Sequence, residues 1–331
     1  MVDIVYNDSS INDIEDNYTI SYSNSQTSIS ATARFWILLF FEIPSIFCSI
    51  LLLYNLYFDR TLRKVLNNHV MFIILIVGLF SQTIDVSNYL TYLRLGYMWP
   101  QTTINCYLWW FIGAAAYNLL GMLMAWTSIE RHIIIFHHRW LNTQRKRIFI
   151  HYIPLISIVS YACSFYTACI FFGSCQNIID YPQYWCFGPS FLGIVGLNLF
   201  DVLINSILPS VLIVIVDILL VIRFIKQRRR FHPRIQLYKY RRMIIQVLSC
   251  SVVYLLFNFP LMIIYLALIF GFPYGSTGEF EIFIYFSSYF IPLLMPFICL
   301  GSSKEIWIKM KKMVRIRYTT DRVSPQVLQL N

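Results

Sequence analysis

Charge is what this sequence has least of. Only 13% of its 331 residues are Asp, Glu, Lys or Arg, while 58% are hydrophobic. A soluble domain carries about 25% charged residues, so a water-soluble globule and a disordered chain are both excluded. Lysine and arginine are missing from residues 1–33, which hold five acids, Asp3, Asp8, Asp13, Glu15 and Asp16. Strict apolar–polar alternation is missing as well, which excludes membrane barrel strands. No short apolar segment with a cleavage site precedes the first long apolar block, so no removable signal peptide is expected.

What is present is a set of seven apolar blocks, at about 34–57, 69–93, 106–130, 148–172, 194–224, 243–270 and 280–300. Crossing a bilayer takes about 20 apolar residues, and backbone groups in hydrocarbon must be satisfied within the segment. The expected fold is therefore an all-α bundle of seven transmembrane helices over 34–300. The first helix is expected to act as its own insertion signal. Outside the bundle lie a tail at 1–33, a short amphipathic membrane-surface helix at 301–316 ("SSKEIWIKMKKMVRIR" alternates basic and apolar residues) and a final tail at 317–331.

Orientation follows from the basic residues. The segments after helices one, three, five and seven, with their flanks, hold 24 of the 26 lysines and arginines, leaving only Arg34 and Arg94 on the other side. Positive charge stays in the cytosol, so the N-terminus is expected outside and the C-terminus inside. The run "RFIKQRRRFHPR" is expected to face anionic lipid or a cytosolic partner rather than nucleic acid, although such runs also serve topology alone. Two sequons, at Asn7 and Asn17, fall on the side assigned to the exterior, so glycosylation is expected there.

Five of the eight cysteines (Cys48, Cys163, Cys169, Cys250, Cys299) fall within helices, where they serve as small apolar filling. Cys106 heads helix three, and Cys175 and Cys186 lie in the loop after helix four. The outer face is oxidising, so a disulfide between loop and helix is expected. Cys106–Cys186 is favoured because "YWCF" lies well inside the loop and can reach over the bundle; Cys175 is the alternative partner.

Helix three carries the stretch "AWTSIERHIIIFHHRW", in which Glu130 directly precedes Arg131, 25 residues after Cys106. At 1.5 Å per residue that is about 37 Å, enough to cross the membrane. An arginine at the hydrocarbon edge is costly unless paired, so the adjacent carboxylate is expected to hold it. A snorkelling arginine beside an acid is the plainer alternative. Seven helices, an outside N-terminus, a cysteine at the head of helix three and Glu130-Arg131-His132 at its inner end together resemble the rhodopsin-like family of G-protein-coupled receptors. The resemblance covers nearly the whole chain. It implies binding of an extracellular ligand and activation of a heterotrimeric G protein in the plasma membrane, with no enzyme activity and no cofactor. Activation would swing helix six outward and free Arg131 to help form the G-protein cavity. Pro209 in "NSILPSV", Pro260 in "YLLFNFP" and Pro296 in "MPFIC" match the family's prolines in helices five, six and seven. Each removes one helical hydrogen bond and permits a bend.

Departures from the family are equally specific. Met295 and Cys299 stand where the family has asparagine and tyrosine around the helix-seven proline, and Asn258 stands at the helix-six tryptophan position. Gly78 aligns with the helix-two aspartate, and Asp217 aligns with the helix-five tyrosine. The usual sodium site is therefore not expected, and a receptor-like protein uncoupled from G protein is an alternative. No acid lies between Asp217 and Glu279, so Arg131 has no ion-pair partner at the inner end of helix six; Tyr240 offers a cation–π contact of ~1 kcal/mol instead. Gly113 takes the place of the amine receptors' aspartate. The pocket that the resemblance implies is lined by Tyr117, Asn118, Asn258, Tyr265, Glu281, Tyr285 and Tyr289, aromatic with an acidic rim, which fits a peptide.

Four acids fall inside helices. Glu42 is expected to be bonded between helices one and seven, with a ligand role as the alternative, Asp85 and Asp201 sit high enough to meet a cationic ligand, and Asp217 lies too deep. Residues 280–300 contain no lysine, so a retinal Schiff base is excluded there. All six histidines (His69, His132, His137, His138, His151, His232) fall at or beyond the cytoplasmic edges, which speaks against an intramembrane metal site. Repeats of a transporter are not evident. A ligand-gated or chemosensory channel is the non-receptor alternative. Thr319, Thr320 and Ser324 are the phosphorylatable residues of the last tail.

Overall fold

The structure is a computed structural model, and it describes residues 29–63, 66–137, 143–172, 179–186, 191, 194–230, 234–272 and 279–302. Asn7, Asn17, Cys175, the Tyr240 side chain and residues 303–331, which hold most of the expected surface helix, lie outside that set. Among the described residues there are seven helices long and apolar enough to cross a membrane: α1 (Ala31–Phe58), α2 (Asn68–Leu95), α3 (Thr103–Phe136), α4 (Gln144–Phe171), α5 (Val195–Lys226), α6 (Ile244–Ala267) and α7 (Phe280–Gly301). No strand occurs among them. The fold is an all-α, seven-helix bundle, and the chain is a multi-pass membrane protein.

The surface of the bundle is apolar where a soluble protein would be polar. On α1, Trp36, Phe40, Ile43, Phe47, Ile50 and Tyr54 are each more than half exposed. Their spacing of three and four residues lines one helix face, which lipid solvates and water would not. The other faces meet in a core of Val70 and Ile74 (α2), Leu119 and Leu123 (α3), Leu155 and Ala162 (α4), Ile213 (α5), Tyr254 (α6) and Ile291 (α7). Helix α3 runs through the middle, with 61% of its membrane window buried against 17% for α4. Gly121 lets α6 approach it there: a Cβ at that position would stand 2.9 Å from the Tyr254 Cζ, closer than side chains pack.

Several ends and bends have local causes. Thr102 caps α3 by accepting from the Asn105 amide, and Gly96 ends α2 in the left-handed region at φ 75°. Helix α3 runs on to Phe136, six residues past the expected end at 130, because "HIIIF" continues a helical apolar run. Three wide π turns interrupt the spans, at Ser81–Val86, Ile148–Tyr152 and Asp201–Ile207. The last two lie just ahead of Pro154 and Pro209, whose missing N–H removes a regular i−4 bond. Helix α7 breaks at Tyr289, between Glu279–Ser288 and Phe290–Ser302. Pro292 follows three residues later and cannot donate back to the Ser288 carbonyl.

Pro296 likewise leaves the Pro292 carbonyl without its helical donor. Gln82 supplies one: its Nε2 donates to the Pro292 oxygen at 2.7 Å and to Ser45 Oγ at 3.0 Å, while Ser45 donates to the Leu293 oxygen at 2.8 Å. Gln82 and Ser45 are fully buried. One amide thus stitches α1, α2 and α7 together at the kink.

Candidate functional site

Buried polar side chains gather at two ends of the bundle, called here the arginine end and the disulfide end after Arg131 and Cys106. At the arginine end Glu130 and Arg131 are both 2% exposed. The expected pairing of these neighbours is replaced by a different one. Glu130 Oε1 lies 2.6 Å from Nδ1 of His151, which is fully buried on α4, and no other ion pair occurs among the described residues. The contact is off the axis of a straight hydrogen bond, and it is an ion pair when the ring is protonated. Across the ring, His151 Nε2 is 3.2 Å from Nδ1 of His69 on α2, whose Nε2 lies 2.7 Å from the Arg63 carbonyl. That carbonyl only accepts, so His69 Nε2 carries a hydrogen.

The reason is geometric. Adjacent residues on a helix point about 100° apart, so Glu130 and Arg131 face different neighbours. His151 sits in the π turn ahead of Pro154 and is fully buried in the bundle at this end. Arg131 faces the other way, into an apolar gap of about 20 Å³ between Met71, Met124, Gln246, Cys250 and Cys299. The gap has room for about one water. The Nε and Nη1 of Arg131 have no hydrogen-bond partner there. Asp217 of α5 is buried beside Ser251 of α6 and Ser128 of α3. His132 instead turns outward, its ring against Phe136 and His137, and Arg223 of α5 lies 5.9 Å over the Phe136 ring.

At the disulfide end Cys106 and Cys186 are bonded, with Cα atoms 5.9 Å apart. The loop segment Tyr184–Cys186 dips into the bundle beneath this bond. Trp185 and Cys186 adopt φ of 57° and 51°, a left-handed backbone that side chains other than glycine rarely take. The disulfide and the Trp110 indole, which donates to the Trp185 carbonyl at 2.6 Å, hold it. Tyr184 stacks on Trp185 with centroids 5.1 Å apart, and its hydroxyl is 2.8 Å from that of Tyr289. The Tyr289 ring in turn stacks on Tyr89 at 4.6 Å. Beneath Trp185 lies Asp85, 5% exposed, whose Oδ1 accepts from Trp109 Nε1 at 2.9 Å and from the Tyr289 hydroxyl at 3.3 Å.

The seven residues expected to line one pocket are brought together in part: Tyr117, Tyr265 and Tyr285 pack around Leu261, Ile264 and Ile284. Tyr289, Tyr285 and Tyr265 lie in sequence beneath and beside the dipping loop, with Tyr285 6.3 Å from Tyr184 and 6.0 Å from Tyr265. Tyr117 donates to Asn258 Oδ1 at 2.6 Å, and Asn258 donates to Ser210 Oγ at 3.0 Å, a clamp across α3, α6 and α5. Asn118 points elsewhere, donating to the Tyr166 hydroxyl at 2.6 Å. Tyr166 donates to Asp201, as does Asn205, each at 2.6 Å, so Asp201 joins α3, α4 and α5. Glu281 is 3% exposed rather than a rim residue. Glu42 accepts from Ser87 of α2 at 3.1 Å instead of bridging to α7. Each correction has one cause: apolar surroundings offer no water, so buried polar groups satisfy one another.

The sequence reading missed His69, His151, Gln82, Tyr184, Trp185 and Trp109. Pro154, three residues after His151, was the one signal available for the inward turn of that histidine. A scan of protein families finds none that matches this chain, and a search of curated proteins likewise finds no match.

Proposed function

We propose that the chain is a rhodopsin-like G-protein-coupled receptor of the plasma membrane, with its N-terminus and disulfide end outside and its arginine end in the cytosol. In this reading an extracellular ligand, a peptide by the aromatic character of the outer half, is received at the disulfide end. A heterotrimeric G protein is activated at the arginine end. The observation that carries the reading is Arg131: a guanidinium 2% exposed, five residues before the end of the central helix, with Nε and Nη1 unpartnered beside a gap between α2, α3, α6 and α7. A buried arginine with open donors is expensive in a membrane and is useful only if a conformational change gives it a partner. Glu130 does not restrain it directly, because His151 holds the carboxylate.

Outward movement of α6 would open the gap that Cys250, Val247 and Gln246 now close and present Arg131 to the transducer. Pro260 lies within the helix Arg234–Ile269 and allows the bend.

The test is G-protein dissociation in cells, across all G-protein classes, at rest and with a neuropeptide library, beside an Arg131→Ala variant matched for surface expression. The reading expects dissociation in at least one class that the variant abolishes. A signal unchanged by Arg131→Ala, or silence in every class at verified surface expression, overturns it. Ligand-gated current in silent cells would identify a channel.

A further inference from the structure

Asp85 is a carboxylate in the membrane without a countercharge. No Lys, Arg or His nitrogen lies within ion-pair distance of it among the described residues. The nearby Arg34 is engaged elsewhere, donating to the Tyr89 hydroxyl at 3.4 Å. Its two hydrogen-bond donors, the Trp109 indole and the Tyr289 hydroxyl, are neutral and converge on a single oxygen. An acid inside a membrane helix is costly, and hydrogen bonds from neutral groups offset less of that cost than those from a cation.

The walls around this carboxylate are the indole of Trp109 and the phenol of Tyr289, backed by Tyr89 and Tyr184. Both present their polar edges to it, the indole N–H and the phenol O–H, and the Tyr289 oxygen can also accept from a cationic N–H donor. The position beside the carboxylate is bordered by Gly113, where a Cβ would come 3.5 Å from both Asp85 Oδ1 and Trp185 Cζ2. Trp185 fills it from the loop. Its indole N–H faces the Asp85 carboxyl and the Tyr289 hydroxyl without reaching a straight hydrogen bond to either. The group now at the site is therefore a neutral donor, held there by a left-handed backbone and a disulfide.

We propose that Asp85, Trp109 and Tyr289 form a subsite for a cationic group of the ligand, an ammonium or a guanidinium, and that Trp185 is a plug which leaves when that group enters. The proposal rests on reading the disulfide end as the ligand-binding end. Entry of a cation supplies the missing countercharge and places it beside the Tyr289 hydroxyl oxygen, which can accept from it. Displacing Trp185 releases the Tyr184 stack and its contact to Tyr289 on α7, so occupancy is transmitted directly to the helix that carries the Pro292 and Pro296 bends.

The experiment uses full-length purified protein in lipid nanodiscs, with benzylamine and its neutral analogue benzyl alcohol as probes. Binding is followed by tryptophan fluorescence and by thermal stabilisation. The expectation is saturable benzylamine binding that Asp85→Asn weakens by at least ~10-fold, which is 1.4 kcal/mol. Benzyl alcohol should bind more weakly and be indifferent to the substitution. Trp185→Ala should strengthen benzylamine binding by emptying the site. Should Asp85→Asn not fold, the comparison of the two probes on the Trp185→Ala protein decides alone. Equal binding of the amine and the alcohol, or no amine binding by the unplugged protein, overturns the proposal. No G protein takes part, so charge-selective binding in a protein that never couples sinks only the receptor reading. Coupling without charge-selective binding sinks only the subsite.

Discussion

Replacing His151 with leucine keeps roughly the same volume in the α4 π turn but removes the one group within ion-pair distance of Glu130 among the described residues. Glu130 would then be a carboxylate 2% exposed with no ion-pair partner among the described residues. Breaking a buried pair by removing one partner costs ~3–5 kcal/mol, because the other charge is left uncompensated. The lost His151–His69 contact adds little, since the partly exposed His69 can turn to water and keeps its bond to the Arg63 carbonyl. Removing the charge as well should recover most of the loss. The double variant Glu130→Gln/His151→Leu is expected to sit only ~1–2 kcal/mol below the parent, within the range for a buried polar group left unsatisfied. The second substitution therefore recovers ~2–3 kcal/mol. At ~2 °C per kcal/mol, the scale for larger domains, the unfolding midpoint in nanodiscs should fall ~6–10 °C for His151→Leu and ~2–4 °C for the double variant. A single variant as stable as the parent, or a double variant no better than the single, would refute the assignment of His151 as Glu130's partner.

Gly121→Ala drives a methyl against the buried Tyr254 ring and should cost ~1–3 kcal/mol by overpacking, whereas Gly196→Ala, with open space at its Cβ, should not lower the midpoint. Gln82→Met keeps the shape but leaves the Pro292 carbonyl without its donor; a loss of ~1–3 kcal/mol is expected, and an unchanged midpoint would show the Gln82 bonds to be dispensable. Cys186→Ala opens a closure of 80 residues; a loss of ~2–4 kcal/mol is expected, together with a change in tryptophan fluorescence as Trp185 is released. Fluorescence identical to the parent's would mean that the disulfide does not hold the Trp185 plug.

Helix number and type were legible because bilayer thickness sets a length and apolar residues meet it locally. The spans expected at 34–57 and 280–300 became Ala31–Phe58 and Phe280–Gly301. The favoured Cys106–Cys186 bond formed, since a cysteine at a helix head and one in a loop that reaches over it have little freedom to do otherwise. The polar partners were not legible. Gln82 and Asp85, His151, and Asp201 with Asn205 all lie on π turns, each of which widens the helix and shifts the faces beyond it away from the regular 3.6-residue repeat. A reading that keeps that repeat throughout therefore aims these side chains at the wrong neighbours.

Membrane insertion and helix count are determined by the sequence alone, because hydrophobicity and charge sum along the chain whatever the packing. Who meets whom was decided only in three dimensions. Glu130 stands beside Arg131 in sequence yet pairs with His151 of another helix, and Asp85 faces Trp185 from 100 positions away. Those pairings depend on helix rotation to within a fraction of a turn, and that rotation is fixed by packing against all the neighbours at once.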